Sequence, residues 1–351
     1  MDVPRRDRRH AQLGRRENRQ RPDTFQGAGN RRQGLRHLSE VHRPSPFPRV
    51  ALALAAVYLI WGSSYLATRV MVTREPPLFA AGLRFALAGL VLGAFAWWRS
   101  GPPRLDRGEL RRVAIVALGS ILVANGCNVL GARYVPSNVV ALLNTTPALF
   151  IASLGIFGRR GTPLSASAAA GLALGLAGVA LIVAPGEARG AGGLLWLGVI
   201  LVGCLGWSLA TLYFRNTTIT NPPTMFLSLQ MLAGGAMLLA AALLHGEPPA
   251  MNWTPAGTAA FLWLTIMSSC LAYSAYFFLA AHTTPVLAGT YAYVNPAIAA
   301  VLGWLVLGEA LRARQIAGML VLLVAISLVT GFASRLLRLV RLRHRVVDTG
   351  D

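Results

Sequence analysis

The chain has 351 residues, 54% of them apolar and only 13% charged, with a mean hydropathy of +0.53. Its 33 basic residues are all arginine and face 13 acidic ones, so every side-chain positive charge is a permanently protonated guanidinium. This excludes a soluble globular domain and leaves the polytopic membrane class.

Residues 1–49 come first, with 13 arginines, 5 acids and few apolar residues, which predicts disorder. No short apolar segment with a cleavage site follows, so the tail does not read as a cleaved signal peptide. The next methionine is Met71, inside the first apolar run, so a later start would need a Val or Leu codon near residues 35–50. A net charge of +20 would suit nucleic acid, but the excess sits in tails beside apolar runs, with no aromatic-basic module. No nucleic-acid partner is expected; the tails set orientation and favour anionic lipid.

Ten apolar runs follow, each near the length that crosses a bilayer: 50–72, 77–98, 113–133, 136–157, 164–184, 192–214, 223–244, 256–281, 285–307 and 313–333. The gaps carry turn chemistry, such as Glu75-Pro76-Pro77, Gly101-Pro102-Pro103, Gly161-Thr162-Pro163, Pro185-Gly186, Asn221-Pro222-Pro223 and Pro248-Pro249. They predict tight hairpins without an extramembrane domain. The N-terminal tail, five arginines in 99–112, Arg159-Arg160, Arg215 and the basic tail 334–351 fall on one side of a ten-span chain. Both termini are therefore expected in the cytoplasm. Cys127, Cys204 and Cys270 each lie within a run at no metal or disulfide spacing and read as packing residues.

The runs repeat. Trp61, Arg69 and Pro76-Pro77 recur as Trp207, Arg215 and Pro222-Pro223, and Ala88-Gly89 recurs as Gly234-Gly235, all at a spacing of 146. Pro136 and Pro147 return as Pro285 and Pro296, and Gly171 as Gly318. Each copy holds five runs. An odd number forces the second copy (192–333) to cross in the opposite sense to the first (50–184). The expected fold is therefore an all-α integral membrane protein, ten transmembrane helices as two inverted five-helix repeats. That is how secondary transporters build two interchangeable states around a midplane site.

Ionisable groups inside spans are costly and call for a reason. Arg84 lies seven residues into the second run. It reads either as a clamp for a solute carboxylate or phosphate, or as a structural arginine that snorkels or pairs with Glu309. Arg69, near a helix end, reads as snorkelling. Asn125 and Asn128 share a helical face, Asn144 precedes Pro147, Gln230 lies in the seventh run, and Asn295 precedes Pro296. Such amides either bond neighbouring helices or line a polar path. Pro147 and Pro296 free carbonyls in mid-membrane, tolerable only where protein groups or a cavity satisfy them. Trp61, Tyr65, Trp207, Tyr273, Tyr276, Tyr291 and Tyr293 are deep enough to wall a pocket, whereas Trp97-Trp98 suit an interfacial belt. No carboxylate sits at a span centre and no metal-ligand or nucleophile-base pattern is present, so no catalysis, cofactor or metal is expected.

Tyr58-Leu59-Ile60-Trp61-Gly62-Ser63-Ser64-Tyr65 resembles the opening of the EamA family of the drug/metabolite transporter superfamily, in its YedA-like branch. Pro77 to Phe85, Gly289 to Pro296, and Leu307-Gly308-Glu309 resemble it too. The resemblance implies an inner-membrane carrier of small metabolites, often an exporter of amino acids or related compounds. It implies a central cavity which Trp61, Tyr65, Arg84, Tyr293 and Asn295 face or support. The expected function is a secondary transporter, by resemblance an exporter, with Trp61, Tyr65, Arg84, Asn125, Asn144, Trp207, Tyr273, Tyr293 and Asn295 as substrate-binding candidates. Its partners are a small-molecule substrate and the lipid bilayer, and a homodimer is an allowed assembly. The alternative is a membrane scaffold or regulatory protein acting through its basic tails.

Overall fold

The computed structural model describes residues 47–154, 166–183, 193–283, 290–310 and 312–330. The two expected tails, the turns at 161–163 and 185–186 and the Pro285 position lie outside them almost entirely. The described residues hold thirteen α-helices, two π-helical segments and no strand. The first half is α1 (Phe47–Val72), α2 (Pro77–Ser100), α3 (Arg107–Ala117), α4 (Ala124–Ala132), α5 (Ser137–Leu143), α6 (Pro147–Leu154) and α7 (Ala166–Val183). The second half is α8 (Gly193–Arg215), α9 (Pro223–Leu244), α10 (Pro255–Leu262), α11 (Tyr273–His282), α12 (Tyr291–Leu307) and α13 (Ala313–Thr330). A π-helical segment, Leu118–Val123, joins α3 to α4, and another, Trp263–Ala272, joins α10 to α11.

Six helical spans among the described residues are long and apolar enough to cross a membrane: Pro48–Val72, Pro77–Ser100, Arg107–Ala132, Gly193–Arg215, Pro223–Leu244 and Pro255–Tyr276. Four more, Ser137–Ile151, Ala169–Leu181, Val294–Leu307 and Ala313–Leu328, are apolar but shorter. Their outer faces expose Leu52, Leu90, Leu176, Leu244 and Leu305, which suits lipid and not water. The third span starts at Arg107, earlier than the expected 113. Asp106 supplies the reason: its carboxylate accepts from the Glu109 N–H at 2.8 Å and starts the helix ahead of the apolar run. Pro77 and Pro223 open α2 and α9, where a missing N–H costs nothing.

Counterpart helices of the two halves pack on one another: α2 on α9, α5 on α12, and α7 on α13. Small residues permit this. A Cβ on Gly235 would stand 2.7 Å from the Ala86 nitrogen, and one on Gly82 would stand 2.9 Å from the Leu239 nitrogen. Backbone therefore meets backbone between α2 and α9, as glycine stripes allow in membrane helix pairs.

The helix ends show that the first two of these pairs are antiparallel. Helix α9 ends at Gly246 (φ 78°), and the turn places the Glu247 carboxylate on the N-terminus of α2, where it accepts from Leu78 N (3.2 Å) and Phe79 N (2.9 Å). Helix α12 ends the same way at Gly308 (φ 63°), with Glu309 N donating to the Gly303 carbonyl at 3.1 Å. Its carboxylate then accepts from Ser137 N and Oγ (2.8 Å each) and Asn138 N (3.2 Å) at the start of α5. Glycine is needed at both turns because a left-handed backbone disfavours any Cβ. Orphan N–H groups at a helix start attract a carboxylate, so a Gly-Glu turn joins one half to the other twice.

Two further carboxylates also bridge the halves. Glu75 accepts from Asn252 N (2.6 Å) and from Thr254 N (3.3 Å) and Oγ1 (3.2 Å) ahead of α10. Glu109, fully buried, accepts from Thr220 N (3.2 Å), Asn221 N and Nδ2 (3.0 Å each) and Arg112 (3.1 Å). One of the alternatives open for Arg84, pairing with Glu309, is not formed: the Gly308 turn commits Glu309 to the start of α5.

Candidate functional site

The fourth span is broken in mid-course. Pro147 has no N–H to donate, and α5 gives way to α6 across Asn144–Thr146. The carbonyls at the break stay bonded: Leu142 O accepts from Thr145 N (3.1 Å) and Oγ1 (2.8 Å), and Leu143 O from Thr146 N (3.0 Å) and Oγ1 (2.7 Å). On the counterpart helix Pro296 lies inside α12, so the Ala292 carbonyl lacks its usual i+4 donor, and Ala292 lines the cavity. Interrupted helices are tolerated in a membrane where they border protein groups or a cavity.

Between the halves lies a cavity of about 460 Å³, within the range of small-molecule sites. It is bordered by Trp61 and Tyr65 of α1, Arg84 of α2, Asn125 and Asn128 of α4, and Asn144 at the helix break. The second half adds Trp207 of α8, Ser268 and Ser269 of the π segment, Tyr273 of α11, and Tyr291 and Asn295 of α12. Eight of the nine candidate residues thus meet in one space. The ninth is Tyr293, which has its backbone in α12 and a side chain that lies outside the described residues.

One wall is aromatic. The Trp61 ring centroid lies 5.2 Å from Tyr273, 5.3 Å from Tyr276 and 5.1 Å from Tyr291, and the Tyr273 and Tyr291 rings meet it edge-on. Such contacts fix ring positions beyond what burial alone achieves. Trp61 Nε1 also donates to the Ser268 carbonyl (3.4 Å), tying α1 to the π segment.

The other wall is amide-lined. Arg84 Nη2 donates to Asn125 Oδ1 (3.3 Å), and Asn125 Nδ2 donates to the Ser120 carbonyl (2.9 Å). Asn144 Nδ2 donates to Asn128 Oδ1 (2.7 Å) and to the Val140 carbonyl (2.9 Å). Asn295, with its nitrogen turned toward acceptors, reaches the Tyr291 and Tyr58 carbonyls at 3.2 and 3.3 Å. Gln230 takes no part in this wall: it is buried and donates to Ser120 Oγ (2.8 Å), a packing role. Arg69 donates to the Ala132 carbonyl at the end of α4 and does not point free into lipid.

Ser268, Ser269, Ser64 and Thr68 also border the cavity and were not among the candidates. Small hydroxyl residues satisfy their own helix carbonyls, as Ser64 does with Trp61 O at 2.6 Å, and so carry little sequence signal. The Ser268 position depends on the π segment. Both π segments sit at the same place in their halves: at the spacing of 146, Leu118–Val123 falls wholly within Trp263–Ala272. Residues in or beside each segment line the cavity, Asn125 after the first and Ser268, Ser269 and Tyr273 in or after the second, a common setting for such segments.

Gly62 is the tight contact behind the aromatic wall. A Cβ there would stand 2.8 Å from both Cβ and Cγ2 of Ile298 on α12, atoms that a β-branched side chain holds close to the helix backbone. Gly62→Ala is expected to cost about 1–3 kcal/mol of stability while lowering transport at least about tenfold. Flux per folded molecule measures it; wild-type flux would remove the contact between α1 and α12 from the transport cycle.

Comparison with known proteins agrees with this architecture. The EamA-like transporter family model matches residues 48–184 and again 194–331. The uncharacterised inner membrane transporter YedA of Escherichia coli K12 is 34% identical over 285 residues, covering 79% of this chain and 89% of its own. The uncharacterised transporter YvbV of Bacillus subtilis is 27% identical, covering 81% and 92%. A chloroplastic WAT1-related protein of Arabidopsis thaliana is 26% identical, covering 79% and 68%. A crystal structure 20% identical in sequence superposes with a TM-score of 0.59 over 82% of this chain and 98% of its own, a likeness of fold alone.

Proposed function

Because this chain belongs to the EamA-like transporter family and carries its domain twice, we propose that it is a secondary transporter exporting a small amphipathic metabolite, an amino acid or related solute, by alternating access. That it is a multi-pass membrane transporter follows from the family and the apolar spans. The finer reading rests on one observation: a cavity lined by both halves is bordered by the break between α5 and α6 in the first half and by the proline-bearing α12 in the second. Two halves that are near-equivalent and opposed can exchange conformations, opening the same cavity first to one side and then to the other.

In this reading there are ten spans, the four shorter apolar helices crossing with the six longer ones, and both termini are cytoplasmic. Trp61, Tyr65, Asn125, Asn144, Trp207, Tyr273, Tyr293 and Asn295 contact the solute with Arg84. Aromatic faces would take an apolar body and the amides a polar end, which suits an amphipathic solute. The test is flux of a labelled metabolite panel in proteoliposomes of known orientation. Movement from the cytoplasmic face outward is expected, and no solute-dependent flux across a broad panel would contradict the proposal.

A further inference from the structure

We infer that the cavity selects organic monoanions and that Arg84 holds their carboxylate, an inference that rests on the cavity being the site of the transported solute. Arg84 is only 5% exposed and borders the cavity. Its guanidinium is poorly used by the protein. Nη2 has the long bond to the neutral Asn125 amide, the Phe85 ring lies 4.2 Å from the guanidinium carbon, and Nε has no hydrogen-bond partner among the described residues. A buried cation normally finds a carboxylate, and most buried N–H groups are bonded.

The acids among the described residues are committed elsewhere. Glu75, Glu109, Glu247 and Glu309 accept backbone N–H groups that join the halves, and Asp106 caps α3. Among the described residues none of the cavity's lining carries a carboxylate. The positive charge in this low-dielectric space is therefore left for the solute to neutralise. A guanidinium presents paired, parallel donors, the geometry that a carboxylate accepts in bidentate fashion.

Charge arithmetic then narrows the class. One arginine balances one negative charge, whereas a phosphate monoester carries about −1.5 to −2 at neutral pH and would bury an unpaired excess. An ammonium group would find no carboxylate here, only the ring faces of Trp61 and its tyrosines and neutral amides. The carboxylate is thus the determinant and an amino group is dispensable, so desamino acids bind at least as tightly as the matching amino acids.

The experiment uses purified full-length protein with thermal-shift and intrinsic tryptophan fluorescence readouts. The probes are straight-chain and aryl carboxylates, 3-phenylpropionate among them, each paired with its neutral amide, together with phenylalanine and phenyl phosphate. Carboxylates should bind at least about tenfold more tightly than their amides. Arg84→Gln should weaken carboxylate binding by about a hundredfold and leave amide binding within about threefold, and Arg84→Lys should restore part of the loss. Equal binding of amide and carboxylate, tighter binding of phenyl phosphate, undiminished binding by Arg84→Gln, or no binding of any carboxylate would each overturn the inference. Vesicle flux separates it from the transport reading. Carboxylate binding without flux would overturn transport alone, whereas flux of neutral or cationic solutes indifferent to Arg84→Gln would overturn the carboxylate site alone.

Discussion

Gly235→Leu is expected to leave little or no folded protein. A Cβ at this position would lie 2.7 Å from the Ala86 nitrogen, 3.0 Å from the Gly82 carbonyl oxygen and 3.1 Å from the Ala86 Cα. All three are backbone atoms of α2, so no rotamer change relieves the clash and the two helices must part. Overpacking costs about 1–3 kcal/mol where side chains can yield; here the cost should reach or exceed the top of that range. Arg84 and Phe85 ride on the same stretch of α2, so the cavity wall would shift with it. Gly198→Leu is the control: nothing lies within 4 Å of a Cβ built there, and its effect should stay within about 0.5 kcal/mol. Monodisperse yield and melting temperature in detergent compare the pair. Equal behaviour of the two variants would mean that α2 and α9 do not meet backbone to backbone.

Glu109→Ala should be nearly as damaging, for an electrostatic reason. Its carboxylate is fully buried and receives the Thr220 and Asn221 N–H groups, the Asn221 side-chain amide and Arg112. Alanine would leave the Thr220 and Asn221 N–H groups without that acceptor, whereas the Asn221 amide keeps the Arg104 carbonyl and Arg112 keeps Thr220 Oγ1. Each buried unsatisfied group costs about 1–3 kcal/mol, so a loss of about 3 kcal/mol or more is expected. Asp106→Ala removes an exposed helix cap next door and should cost only about 1 kcal/mol. Melting temperatures of the two variants make the comparison, and a Glu109→Ala loss no larger than that of Asp106→Ala would show that the bridge between the halves contributes little.

Much of this was legible in the sequence because the membrane restricts the options so severely. Trp61 and Trp207, or Gly89 and Gly235, recur at one spacing since matched helices need matched bulky and small positions. The nine site candidates stood out as polar or aromatic groups at a depth where such groups require a partner. The rest was hidden for identifiable reasons. A π segment is a matter of which carbonyl an N–H reaches, as when Ala124 N turns to Gly119 O, and residue type gives no sign of it. Glu75, Glu109, Glu247 and Glu309 lie at span ends, where an acid is unremarkable until its partner in the other half is known. Glu309 could have paired with Arg84 by depth alone; only the left-handed Gly308 turn shows that it faces Ser137 instead. Ser268 and Ser269 read as helix filler because their place beside the cavity depends on the π segment that carries them.

Transport by alternation between the two halves is tested most directly by exchange in proteoliposomes. Vesicles are loaded with an unlabelled solute that the protein moves, and entry of the labelled form is followed from outside. One cavity opening to one side at a time predicts saturable entry that loaded solute accelerates. Entry that does not saturate, or that is indifferent to solute on the far side, would mean an open pore and contradict alternating access.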